Sequence, residues 1–131
     1  MNAVQGWDAP APVIIFVYNR PDHTAQTIET LSKNTLAVGT DLIIFSDAEK
    51  GDTDRQRVTD VRKFISTVPD RGYFRSVRIF EAEQHRGLAG SVIVGVTRVI
   101  NEAGRVIVAH HNRRFYVCQV VAVSCRALRV R

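Results

Sequence analysis

The chain has 131 residues, 45% of them apolar and 24% charged, with a formal net charge of +5. That length holds one domain with a real core, and the composition excludes a disordered or fibrous chain. The apolar run near the start, residues 13–18, falls far short of the roughly 20 residues a membrane helix needs. Residues 1–11 carry no basic side chain and no extended apolar core. The expectation is therefore a cytoplasmic protein with no secretory leader and no membrane span.

The charge is unevenly placed. Residues 1–108 hold 13 Lys/Arg and all 13 Asp/Glu, so they are neutral as a set. Residues 109–131 hold Arg113, Arg114, Arg126, Arg129 and Arg131 and no acid. Both cysteines, Cys118 and Cys125, lie in the same segment with six residues between them, which suits neither a zinc knuckle nor a redox pair. They read as reduced thiols in an apolar strand. The chain thus divides into a regularly patterned part, 1–108, and an atypical basic tail, 109–131. In that tail only Phe115 and Tyr116 offer stacking surfaces and the arginines follow no recognisable motif, so nucleic acid is not an expected partner.

Taken in order, residues 13–18 (VIIFVY) form a continuous apolar run rich in β-branched residues, which predicts a strand buried on both faces. Asp22, after Pro21, is placed to cap a helix with Ala25, Ile28 and Leu31 inward. Residues 42–45 (LIIF) repeat the buried-strand pattern. Asp52 or Asp54 opens a second helix with Val58, Val61, Ile65 and Val68 on one face, ending before Pro69. Val77, Ile79 and Phe80 predict a third strand. Gly87 starts a helix buried along Leu88, Val92, Val96, Val99 and Ile100 and closed by Gly104. Residues 105–108 (RVIV) are a fourth strand, and 115–123 in the tail look strand-like. Strand and helix alternate three times, so the predicted class is α/β with a mostly parallel sheet covered by helices on both faces.

Ligands of such sheets bind beyond the C-terminal ends of the strands. Those ends carry Tyr18, Asn19 and Arg20 after the first strand and Asp47 after the second. His85 and Arg86 follow the third, and Ala109, His110 and His111 follow the fourth. There is no G-x-G-x-x-G after the first strand and no P-loop lysine motif. The fork of Arg20 suits a pair of diphosphate oxygens, and Asp47 suits hydrogen-bond donors on a base or ribose. Each also has a plain alternative: a solvated loop arginine, and an aspartate that closes a turn.

The segments PVIIFVYNRP at 12–21, LIIFSD at 42–47, QHRGLAGSV at 84–92 and GRVIV at 104–108 occur in that order at fitting intervals. Over residues 11–108 this resembles the N-terminal half of family-two-like glycosyltransferases, including the N-acetylglucosaminyltransferase I type. The resemblance implies a Rossmann-like GT-A fold and a nucleotide-diphosphate-sugar donor. It implies that Tyr18, Asn19 and Arg20 line the nucleotide pocket, that Asp47 contacts the base, and that His85 and Arg86 lie near the donor. The implied reaction is glycosyl transfer to a hydroxyl acceptor, with no catalytic residue assigned.

The resemblance also implies an acidic triplet after the fourth strand, holding a manganese or magnesium ion across the donor phosphates. The matching positions are Ala109, His110 and His111, then Asn112, so no metal site is expected here. The tail has no acid to serve as a general base toward the acceptor. The alternative reading is a non-catalytic truncated fragment with weak or no nucleotide binding. Two further expectations follow. The abrupt change at 109 points to a shifted reading frame or a wrong gene boundary, and a sheet ending at the fourth strand would self-associate through its uncovered edge unless the tail covers it.

Overall fold

The computed structural model describes residues 11–111 and 118–124, with side chains over 11–109. The elements in chain order are β1 (Val13–Val17), α1 (Pro21–Ser32), β2 (Asp41–Ser46), α2 (Asp52–Ile65), β3 (Ser76–Glu81), α3 (Gly87–Ala103), β4 (Arg105–His111) and β5 (Cys118–Ser124). They form one five-stranded sheet in the order β3-β2-β1-β4-β5. The first four strands are parallel, and β5 runs antiparallel to β4. The fold is therefore α/β with the Rossmann-like strand order, and the order reverses between β1 and β4.

The continuous apolar runs are explained by what covers each face. Alternate residues of a strand point to opposite sides. Ile15 and Val17 of β1 and Leu42 and Ile44 of β2 pack with Ile28 of α1 and with Val61 and Ile65 of α2. Ile14, Ile43, Phe45 and Val106 pack on the other side with Val99 and Ile100 of α3. Two helices thus cover one face and a single helix covers the other.

On the α3 face, register places Phe16 of β1, Phe45 of β2 and Phe80 of β3 side by side. Their rings stack in a row, with centroids 5.7 Å apart for Phe16–Phe45 and 5.1 Å for Phe45–Phe80. A Cβ on Gly95 would lie 2.8 Å from Phe16 and 3.0 Å from Phe45. The missing side chain lets α3 settle on this ladder.

Several expectations change. Asp22 caps nothing: α1 begins at Pro21 with Arg20 at the N-cap, and Asp22 lies in the first turn, where its charge suits the helix dipole. Val68 is buried but belongs to a 3-10 turn after α2, because Pro69 prevents the α-helix from continuing. Leu88 is 72% exposed rather than buried. The residues α3 buries are Ser91, Gly95, Val99 and Ile100, so its inner face is lined by small residues near its start. Finally, β4 does not stop at Val108. Pairing with β5 carries the ladder through Ala109, His110 and His111, which face Val120, Gln119 and Cys118. The outer edge of β4 is therefore occupied by the tail strand. The tail positions 112–117 and 125–131, including Arg113, Arg114, Phe115, Tyr116 and Cys125, lie outside the described residues.

No helix among the described residues is long and apolar enough to cross a membrane.

Candidate functional site

The C-terminal ends of β1, β2 and β3 converge on a polar cluster, and Asp47 is at its centre. The residue is 5% exposed, directly after β2. Its Oδ1 accepts from the backbone N–H of Ala48 at 2.9 Å and of Arg86 at 2.8 Å, and its Oδ2 accepts from the N–H of Gly87 at 2.9 Å. The carboxylate thus ties the end of β2 to the start of α3, where unpaired N–H groups and the helix dipole favour an anion. Gly87 presents its N–H from a left-handed conformation, φ 77°, which favours glycine.

His85 completes this arrangement. Its Nδ1 is 3.0 Å from the carbonyl oxygen of Ala48 and 3.1 Å from Oδ2 of Asp47. Both neighbours are acceptors, so Nδ1 carries a hydrogen. The imidazole lies against Tyr18, with ring centroids 5.0 Å apart.

Tyr18 reaches the other way, donating its hydroxyl to Oδ2 of Asp54. Asn19 donates its amide to Oδ1 of the same carboxylate at 3.3 Å. Burial and the Asp54 carboxylate push the Tyr18 phenol above its ordinary range. Conversely, the Tyr18 hydroxyl, with help from Asn19, holds Asp54 below the usual carboxylate range. Asp54, expected only as a helix opener, is what positions the residues after β1.

Of the residues singled out from the sequence, Tyr18, Asn19, Asp47 and His85 are brought together. Arg20 and Arg86 are exposed in the adjoining loops, and their guanidinium groups have no hydrogen-bond or ion-pair partner among the described residues. Arg62 was not singled out. Its guanidinium donates to the carbonyls of Asp47 at 3.2 Å and Ala82 at 2.9 Å, and to the hydroxyl of Ser46 at 3.1 Å, clamping the ends of β2 and β3. The signal was available: position 62 follows Val58 by four, on the inward stripe of α2, where an arginine is out of place unless it has partners to hold.

Among the described side chains, none at the triplet position can hold the divalent ion that the resemblance implies. Ala109, the first position of the expected triplet, is a fully buried methyl group in mid-strand. The carboxylate of Asp47 is already taken by three N–H groups and a ring nitrogen. Among the described residues no group of three or more His, Cys, Asp or Glu is placed to hold a metal. No protein-family model matches this chain, and no curated protein matches it.

Proposed function

We propose that the chain is a nucleotide-binding half domain of the GT-A glycosyltransferase type, holding a nucleotide-diphosphate sugar over the ends of β1, β2 and β3. The observation that supports this best is the joint one: the strand order reverses next to β1, and the loops at these ends present two arginines with no side-chain partner among the described residues, beside a preorganised Tyr18–His85–Asp47 cluster. Arg20 would meet the diphosphate through paired N–H donors, with Arg86 adding a second positive charge. The base would rest against Tyr18 and Asn19. Asp47 acts mainly by shaping the loop before α3, and its oxygens have little capacity left for a base. No metal step is part of this reading, and no residue is assigned to glycosyl transfer itself.

A second reading, a non-catalytic fragment with weak or no nucleotide binding, is favoured by one feature. The position that should supply a metal-binding carboxylate is the buried methyl of Ala109.

Calorimetric titration with uridine, guanosine, adenosine and thymidine diphosphates decides between them. The first reading expects saturable heat with at least one, weakened about tenfold or more by Arg20→Ala through loss of a charge-assisted contact. Absence of heat with all four supports the second.

A further inference from the structure

A groove of about 210 Å³ runs between α3 and the ends of β2 and β3, on the α3 face of the sheet. Phe45 and Phe80, the last two rings of the ladder, form its apolar floor, with Val94 and Ala82 beside them. At its head are Arg86 and Ser91. Ser91 is 8% exposed, and its hydroxyl has no hydrogen-bond partner among the described residues. Buried hydroxyls are nearly always paired, so an orphan lining a groove marks a place where a ligand group belongs.

We propose that this groove binds a small organic monocarboxylate with an apolar body, its carboxylate held by Arg86 and Ser91. The charges select an anion, and the aromatic floor selects one with an apolar body. Arg98 stands 4.2 Å over the Phe80 ring and lies 3.4 Å from Glu102, a carboxylate that also holds Arg78 at 2.9 Å. Glu81 faces Arg62 at 4.0 Å. Arg86 is the charged lining residue whose side chain has no ion-pair partner among the described residues, and its planar fork matches a carboxylate. A guanidinium fork binds a carboxylate with two parallel N–H donors, and the Ser91 hydroxyl adds a third. The phenylalanine floor takes the apolar body by excluding water. The proposal requires neither Arg20 nor Asp47 as a ligand contact; it shares Arg86 with the nucleotide reading, and a titration without nucleotide tests it independently.

The test is a benzoate titration of the full chain, without nucleotide, followed by the amide resonances of Ala82, Ser91 and Val94. Saturable shifts at these amides are expected, with none from benzamide, which has the same shape and no charge. Arg86→Gln should weaken binding about tenfold or more, and Ser91→Ala about three- to tenfold. Ser91→Ala should leave the melting temperature unchanged or raised, since no internal hydrogen bond is lost and alanine favours a helix. Val94→Trp, which fills the groove, should abolish the shifts. Non-saturating shifts, equal response to benzamide, or full affinity in Arg86→Gln would each overturn the proposal. So would inorganic phosphate shifting these amides where benzoate does not.

Discussion

Replacing Asp47 tests whether its carboxylate holds the site together. In Asp47→Ala the N–H groups of Ala48, Arg86 and Gly87 lose their acceptor, and His85 keeps only the Ala48 carbonyl. A hydrogen bond to a charged group contributes about 1.5–3 kcal/mol, and an orphaned buried N–H costs about 1–3 kcal/mol. The costs do not add fully, because Arg86 is exposed and water can reach its N–H once the loop loosens. A total of about 3–5 kcal/mol is expected, the range seen when one partner of a buried charged interaction is removed. Asp47→Asn keeps Oδ1 as acceptor for Ala48 and Arg86 but turns an NH₂ toward the N–H of Gly87, which should cost about 1–3 kcal/mol. Urea unfolding followed by circular dichroism gives both values. The expected melting shift for the alanine variant is roughly 10–20 °C downward for a chain of this size. Hydrogen exchange at the Arg86 and Gly87 amides should rise well before that of the β1 and β2 core. If Asp47→Ala unfolds within about 0.5 kcal/mol of the parent, a shift typical of a neutral surface substitution, the carboxylate is not what ties β2 to α3. It would then be free for a ligand.

Two further changes probe the scaffold. Gly95→Ala should destabilise by about 1–3 kcal/mol, since the new methyl meets Phe16 and Phe45 at or below 3.0 Å and outweighs the helix-propensity gain of about 1 kcal/mol; a more stable variant in thermal melts would show that α3 can lift at no cost. The Tyr18–Asp54 pair predicts a pH dependence with two limbs. Asp54 is held below its unfolded value, so its contribution is present above about pH 4 and is lost as pH falls through the lowered value. Tyr18 is raised, so its contribution is present below about pH 10 and is lost as pH climbs through the raised value. Tyr18→Phe should flatten both limbs in urea midpoints taken across pH, and an unchanged profile would show that the pair does not couple to folding.

The elements were legible in the chain before it folds. Runs such as VIIFV and LIIF are apolar on both sides of the strand, and that pattern is stable only in a sheet covered twice. The three-residue and four-residue spacing of Val58, Val61 and Ile65 could only be one face of a helix. The positions at strand ends were legible for the same reason, since a parallel sheet exposes its loops there.

What those loop residues do depends on partners that folding brings from far along the chain. Asp47 looks from the sequence like any aspartate after a strand, and only the return of α3 to that spot, some forty residues later, gives its oxygens three N–H donors. The pairing of Tyr18 with Asp54 spans 36 positions and leaves no local trace. The misreading of Leu88 has the same origin. Periodicity assumes that large apolar residues face inward, whereas Phe16 and Phe45 of the ladder leave no room for a side chain at position 95. The helix therefore lays Gly95 against the ladder and turns Leu88 and Ile93 outward. Volume on the opposing surface decides which face of a helix is buried, and a single chain segment carries no record of it.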